Sequence, residues 1–130
     1  MVLSRRALMA ATAGLSVGGA GCLSDGSCET VVDRTERVER GGFRVYDADT
    51  EAGQRLYIRL RRIEGPGVLL RVFDPAEEPV VERRDVERLE RVVDVTEPGR
   101  YSVMIENDST DVGRWQITVV VYRGWCPDVF

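Results

Sequence analysis

The sequence predicts an all-β protein: an antiparallel β-sandwich, jelly-roll-like, with seven to eight strands, which follows an N-terminal signal and lipobox segment. Three observations support this prediction. Apolar and polar residues alternate over short runs along most of the chain. Residues that favour turns separate these runs at an even spacing. No long segment carries a convincing helical period, so the strands are expected to pack against other strands, as two sheets do in a sandwich.

Four segments show the clearest strand pattern. In each of them apolar residues recur at every second position, as expected for a strand with one face in the core. Weaker runs at 29–38, 43–46 and 80–83 predict further strands. The apolar positions of the four clear strands are Leu56, Ile58 and Leu60; Val68, Leu70 and Val72; Tyr101, Val103 and Ile105; and Trp115, Ile117, Val119 and Val121.

Residues 82–95 fit two interpretations. Val86, Leu89 and Val93 have helical spacing, and Glu and Arg, which are abundant here, are good helix formers. In a strand, Leu89, Val93 and Val95 would share a face with Arg91. We favour a strand, because the neighbouring strands and turns have a similar spacing.

The segments between the strands have the chemistry of turns. Gly65-Pro66-Gly67 is expected to be a tight hairpin link. Glu97-Pro98-Gly99 has Pro followed by Gly, the order that a type II turn prefers. Residues 47–53 and 107–111 are expected to be polar loops.

Residues 1–21 are expected to be a signal peptide. Arg5 and Arg6 make its start positive, and the uncharged stretch at 7–21 is rich in Ala and Gly. A membrane-spanning helix needs about 20 strongly apolar residues, so this stretch favours a cleaved leader. Residues 4–9, Ser-Arg-Arg-Ala-Leu-Met, resemble the twin-arginine export signal, with Leu8 where Phe is usual. The resemblance implies export in folded form. An ordinary secretory leader with a chance arginine pair is the alternative.

The end of the leader resembles a lipobox. Ala20 and Gly21 precede Cys22, although Gly19 stands where Leu is usual. Residues 22–27 would then be a lipidated Cys and a short tether, and residues 28–130 the β-sandwich domain. Together with the arginine pair, this arrangement resembles haloarchaeal surface lipoproteins. The resemblance implies that the chain is exported and anchored to the outer face of the cell membrane through lipid on Cys22. An unpaired or disulfide-bonded Cys22 is the alternative.

The three cysteines are an odd number for an exported protein. Lipid on Cys22 would leave Cys28 and Cys126, near opposite ends of the domain. Export places them in an oxidising compartment, which favours a disulfide between them. That bond requires the first and last strands to meet, with the two Cα atoms within about 7 Å. A metal site is less favoured, because the chain contains no His.

The last two predicted strands resemble the C-terminal strands of bacterial pre-peptidase and GOLD-like sandwich domains. The resemblance covers residues 99–107 and 113–119, where Gly begins each strand and apolar residues alternate after it. Trp115 stands where Tyr is commoner. The resemblance implies an appendage, docking module or surface-binding domain rather than a catalyst.

Composition excludes several classes of function. The chain has 18 Lys and Arg, all of them Arg, and 22 acids. Without Arg5 and Arg6 the mature part has 16 Arg and 22 acids, a net charge of −6. Nucleic-acid binding is disfavoured, because it needs a basic surface. No His or Lys is present to act as a general base, so we expect no enzyme. A hydrolase that uses paired carboxylates is the remaining catalytic alternative.

We expect no cofactor, and calcium is the best candidate if one binds. Loop carboxylates supply the hard oxygen ligands that calcium prefers. The candidates are Asp47 and Asp49, followed by Glu51, and Asn107 and Asp108, followed by Asp111. Ordinary polar turns are the favoured interpretation of both clusters.

Four aromatic residues raise the question of a carbohydrate platform. Tyr46, Tyr57, Tyr122 and Trp125 would stack on sugars if they shared an exposed face. Burial is the favoured interpretation, with Trp125 packed over the disulfide. We therefore expect a non-catalytic surface module that binds a protein, a glycan or an envelope component, with a purely structural envelope protein as the alternative. An exposed apolar patch on a sheet would indicate the first, and a featureless polar surface the second.

Overall fold

A computed structural model describes residues 26–129 as eight β-strands. Arg5, Arg6 and Cys22, with the predicted signal peptide, lie outside these residues. Within the described part, no helix has the length and apolar character that crossing a membrane requires. The strands are β1 (Ser27–Val38), β2 (Phe43–Thr50), β3 (Arg55–Glu64), β4 (Val68–Phe73), β5 (Pro79–Val86), β6 (Arg88–Asp94), β7 (Gly99–Glu106) and β8 (Gly113–Arg123).

The strands form two four-stranded antiparallel sheets that pack face to face. Sheet A has the order β1-β8-β3-β6, and sheet B has the order β2-β7-β4-β5. The all-β sandwich predicted from the sequence is therefore confirmed, and its strand order is that of a jelly roll. Every connection crosses from one sheet to the other except the β4–β5 link, which joins two neighbouring strands of sheet B.

The prediction of a hairpin at residues 65–67 is wrong. This segment carries the chain from β3 in sheet A to β4 in sheet B. Gly65 has a φ of +89°, and a Cβ there would lie 2.5 Å from the backbone oxygen of Val112. The glycine is needed because the crossing presses against the β7–β8 loop, which the local sequence does not reveal.

The strand interpretation of residues 82–95 is confirmed, but the segment holds parts of two strands rather than one. β5 ends at Val86 in sheet B, and β6 begins at Arg88 in sheet A. Glu87 makes the crossing, and its carbonyl accepts a hydrogen bond of 2.8 Å from the backbone N–H of Arg62. Asp85, just before the crossing, has a φ of 54°.

The core lies between the sheets and is built from the alternating positions that the sequence indicates. Trp115, wholly buried, is the largest side chain in it, and its indole Nε1 has no hydrogen-bond partner. Gly113 leaves room for this ring, because a Cβ there would fall on its six-membered part. Other members are Leu56, Ile58, Leu60, Ile117, Val119 and Val121 from sheet A, and Val68, Leu70, Val72, Tyr101, Val103 and Ile105 from sheet B.

A hydrogen-bonded ion cluster closes one side of the sandwich, where β1 of sheet A meets β2 of sheet B. The Tyr46 hydroxyl donates to Glu36 Oε2 at 2.7 Å, and Arg34 Nε donates to the same oxygen at 2.8 Å. Arg44 Nε lies 3.7 Å from the other carboxylate oxygen of Glu36. Burial raises the pKa of the Glu36 carboxyl, but the Tyr46 hydrogen bond and the two Arg outweigh it, so the net pKa is lowered.

A second, smaller apolar cluster lies on the outer face of sheet A, beneath the C-terminal segment. It contains Tyr57, Val120, Tyr122 and Cys126, with Val129 packed against them. The Tyr57 hydroxyl donates to Glu90 Oε2. Burial and this hydrogen bond raise the pKa of Tyr57 to about 12. The C-terminal segment thus folds back on sheet A instead of extending into solvent.

We predict that Gly113→Ala destabilises the domain by about 1–3 kcal/mol, because the added methyl group must displace a fully enclosed indole ring. Urea denaturation measures the change. Trp115→Phe supplies the control, because its smaller ring ends short of the atoms that the methyl group would touch. The cost of Gly113→Ala should shrink markedly in the Trp115→Phe background. An equal cost in both backgrounds would show that ring contact is not its origin.

We also predict that acid weakens the domain through Glu36. Because the folded-state pKa of its carboxyl lies below the ordinary value of 4.5, its contribution to stability is complete above that pH. The contribution is lost as the pH falls through the lowered pKa. The free energy of unfolding, measured between pH 6 and about 3, should fall less steeply in Glu36→Gln than in the wild type. Glu39→Gln, which removes the exposed partner of Arg37, should keep the wild-type slope.

Candidate functional site

The sandwich has two distinct ends, and the described chain begins at one of them, which we call the tether end because the predicted tether precedes it. At this tether end Ser27 pairs with Arg123, and at the opposite, far end Val38 pairs with Gly113. A strand rises about 3.3 Å per residue, so the 12 residues of β1 separate the ends by about 36 Å. Gly26 packs on the C-terminal segment, where a Cβ would lie 3.0 Å from the Trp125 carbonyl oxygen. Both ends of the described chain therefore meet beside the predicted tether.

Cys28 and Cys126 also meet at the tether end. Their sulfur atoms are at disulfide-bonding distance and their Cα atoms are 5.6 Å apart, although 98 residues separate them in sequence. The expected approach of the two cysteines is thus confirmed. Asp128 Oδ2 lies 3.5 Å from Cys28 Sγ, and these three side chains are the only cluster of potential metal ligands found in residues 26–129. Two sulfurs bonded to each other offer no thiolate to a metal.

Trp125 is exposed, whereas the sequence-based expectation was that it is buried over the disulfide. Its side chain is 72% exposed, whereas Cys126 is fully buried. The aromatic platform does not form either, because Tyr46, Tyr57 and Tyr122 are all buried. Strand alternation places Tyr46 between the sheets, while Tyr57 and Tyr122 lie under the C-terminal segment.

The four calcium candidates are not brought together. Asp47 and Asp49 lie on the outer face of β2, where Asp47 Oδ1 accepts a 2.8 Å hydrogen bond from the Ser102 hydroxyl. Asp49 Oδ1 lies 3.5 Å from Arg100 Nε. Asn107 and Asp108 lie at the far end, after β7, and Asp108 pairs with Arg84 at 3.6 Å. Each carboxylate therefore has a protein partner of its own.

Asn107 has a structural role that the sequence did not indicate. It is wholly buried, and its Nδ2 donates to the carbonyls of Val38 (3.0 Å) and Asp111 (2.7 Å). Its Oδ1 accepts from the backbone N–H and the hydroxyl of Ser109. Because Val38 ends β1 and Asp111 precedes β8, Asn107 holds the β7–β8 loop to sheet A. Its oxygen is occupied and is not available to a metal ion.

An acidic cleft of about 580 Å³ opens at the tether end. It is lined by Glu29, Asp49 and Glu51, with Arg123 beside them. Arg123 Nη2 donates to the Ala52 carbonyl at 2.6 Å, which fixes the β2–β3 loop across the cleft. A hydrolase with paired carboxylates would need an enclosed substrate and two convergent acids. This cleft, by contrast, is open to solvent.

An apolar patch on the outer face of sheet B is the strongest candidate for a binding surface. We define the patch as Phe43, Val45 and Met104. Phe43 is 58% exposed and Val45 is 46% exposed, and Val45 lies directly opposite the half-buried Met104 on β7. Phe43 and Val45 are on the odd-numbered, outward side of β2, so the alternation that buries Tyr46 also exposes these two members of the patch.

The patch lies towards the far end of sheet B and has charged residues at its border. Phe43 is opposite Glu106, and Met104 is also opposite Arg71 of β4. Arg71 Nε lies 3.3 Å from Glu82 Oε2, so an ion pair continues the row beyond Met104. An apolar centre with a polar border is the usual composition of a protein-binding surface. The sequence pattern predicts β2 as a strand but does not identify its outward residues as a patch.

Comparisons with known proteins add no family assignment. No protein-family profile matches the sequence. No curated protein is significantly similar to it.

Proposed function

We propose that this protein is a non-catalytic binding module that is exported, held at the outer face of the cell membrane by lipid on Cys22, and completed by a Cys28–Cys126 disulfide. The observation that carries the proposal is the apolar patch, because a purely structural envelope protein has no need of an exposed Phe on a sheet face. The twin-arginine leader and the likeness to pre-peptidase and GOLD-like domains belong to the same proposal.

The position of the patch supports binding away from the membrane. Phe43 follows the turn at the far end, whereas the chain enters the domain at the tether end. Cys28 is six positions after Cys22, and a chain of that length reaches at most about 20 Å. A lipid on Cys22 would therefore keep the tether end near the membrane and leave the patch facing outwards.

The size and chemistry of the patch favour a protein partner that binds reversibly. Three side chains cover far less area than a permanent interface of about 1,600 Å² or more requires. Burying Phe43 or Val45 against a partner contributes about 1.5–3 kcal/mol each at most. The flanking Glu106, Arg71 and Glu82 offer charges of both signs to the border of such an interface.

We predict that Phe43→Ser with Val45→Thr reduces the recovery of a specific partner about tenfold or more, because two apolar anchors are lost. The measurement is affinity capture from intact envelopes after mild cross-linking, with quantitative mass spectrometry. Val92→Thr is the matched control, because Val92 is 44% exposed on the outer face of sheet A. A partner recovered equally with all variants would contradict the assignment of the patch, and so would the absence of any enriched partner.

We further predict that Cys22→Ser releases the protein from membranes into the medium. The mature N-terminal peptide of the wild type should carry a lipid mass on Cys22. A single acyl chain gives marginal attachment, so stable membrane association should coincide with a larger modification. Soluble, unmodified wild-type protein would contradict the tether while leaving the patch untouched.

A further inference from the structure

A small cleft on the outer face of sheet A gathers three arginines. Arg59 and Arg61 come from β3 and Arg88 comes from β6, with Gln116 of β8 beside them. The cleft has a volume of about 220 Å³. It lies on the opposite face of the sandwich from the apolar patch, so the two surfaces are separate.

Two of these arginines are paired with each other by the strand register. Arg61 lies directly opposite Arg88 in the β3–β6 ladder. Like charges at directly opposed positions destabilise a sheet. Neither guanidinium has a carboxylate oxygen within 4.0 Å, although nine of the sixteen arginines in residues 26–129 form such ion pairs. The pairing is therefore unfavourable within the protein alone.

The carboxylates near the cleft are already engaged. Glu90 lies opposite Arg59, and its Oε2 accepts the hydrogen bond from Tyr57. Asp33 Oδ1 accepts from Gln116 Nε2 at 3.1 Å and from the Thr118 hydroxyl at 3.0 Å. The hydrogen bond to Asp33 fixes the Gln116 amide at the wall of the cleft, whereas Thr118 does not line the cleft. Three cations thus face one lining carboxylate in a protein whose mature part has a net charge of −6.

We propose that this cleft binds an oxyanion: a sulfate, phosphate or carboxylate group, either free or carried on a sugar. The planar guanidinium group donates two parallel hydrogen bonds to such groups, and an anion between Arg61 and Arg88 would convert their repulsion into attraction to a shared partner. The volume equals that of about seven water molecules, which leaves room for a few atoms attached to the anionic group.

The test is an NMR chemical-shift titration of the mature chain with sodium sulfate, with sodium chloride keeping the ionic strength constant. Saturable shifts are expected around Arg61, Arg88 and Gln116. Arg61→Gln with Arg88→Gln should weaken sulfate binding about tenfold or more, because both guanidinium groups are removed. Arg40→Gln with Arg83→Gln is the matched control, since these arginines also lack an ion pair but lie outside the cleft. Equal weakening in the control, or shifts that never saturate, would overturn the proposal.

Parallel titrations with phosphate, acetate, glucuronate and a hexose sulfate distinguish the source of the anion. Tighter binding of either sugar derivative than of the matching simple anion would assign the cleft to an acidic glycan. Equal binding would assign it to the free anion. Both results support the site, because both require an oxyanion between the arginines.

Arg88→Glu provides a second readout that does not depend on a ligand. It should raise the thermal midpoint in sulfate-free buffer by about 1–3 °C, because Arg61 gains an opposite charge across the ladder. The same variant should lose the additional stabilisation that sulfate gives to the wild type. A lowered midpoint would show that Arg88 supports the fold, and stabilisation by sulfate that persists in this variant would place binding elsewhere. Either outcome contradicts the proposal.

Discussion

The pairing of the first strand with the last is the constraint on which the rest of the structure depends. β8 lies between β1 and β3, so two of the three strand pairings of sheet A cannot form without the last strand of the chain. Cys28 and Cys126 meet at the tether end of this pairing, across 98 residues. A bond between them removes about 4.7 kcal/mol of loop-closure entropy from the unfolded chain in the chain-entropy model. The pairing of β1 with β8 also determines where the C-terminal segment lies, where the second apolar cluster forms and where the chain enters the domain.

The same pairing gives the two outer faces different chemistry. On sheet A the C-terminal segment covers the tether end, and the exposed remainder carries the arginine cleft. On sheet B no segment folds back over β2, so its outward Phe43 and Val45 stay exposed. The arginine cleft and the apolar patch therefore lie on opposite outer faces of the sandwich.

The local sequence pattern predicts the features that depend on residues close together in the chain. Alternation in β7 and β8 identified the core side of both strands, and the cysteine count anticipated the approach of Cys28 to Cys126. Features that depend on contacts between the two sheets were not predicted from the sequence. Residues 65–67 look like a hairpin turn, but β3 pairs with β6 and β8 rather than with β4, so the segment crosses between sheets. Asn107 looks like a loop ligand but is a buried hydrogen-bond centre. The patch and the cleft required the register that sets Val45 opposite Met104 and Arg61 opposite Arg88.

The most direct measurement is the redox state of the cysteines in protein isolated from its own envelope, unfolded, and alkylated before and after reduction with peptide mapping. If the chain is exported and closed by its first and last strands, the peptides containing Cys28 and Cys126 will be alkylated only after reduction. Free thiols at both positions before reduction would contradict the account.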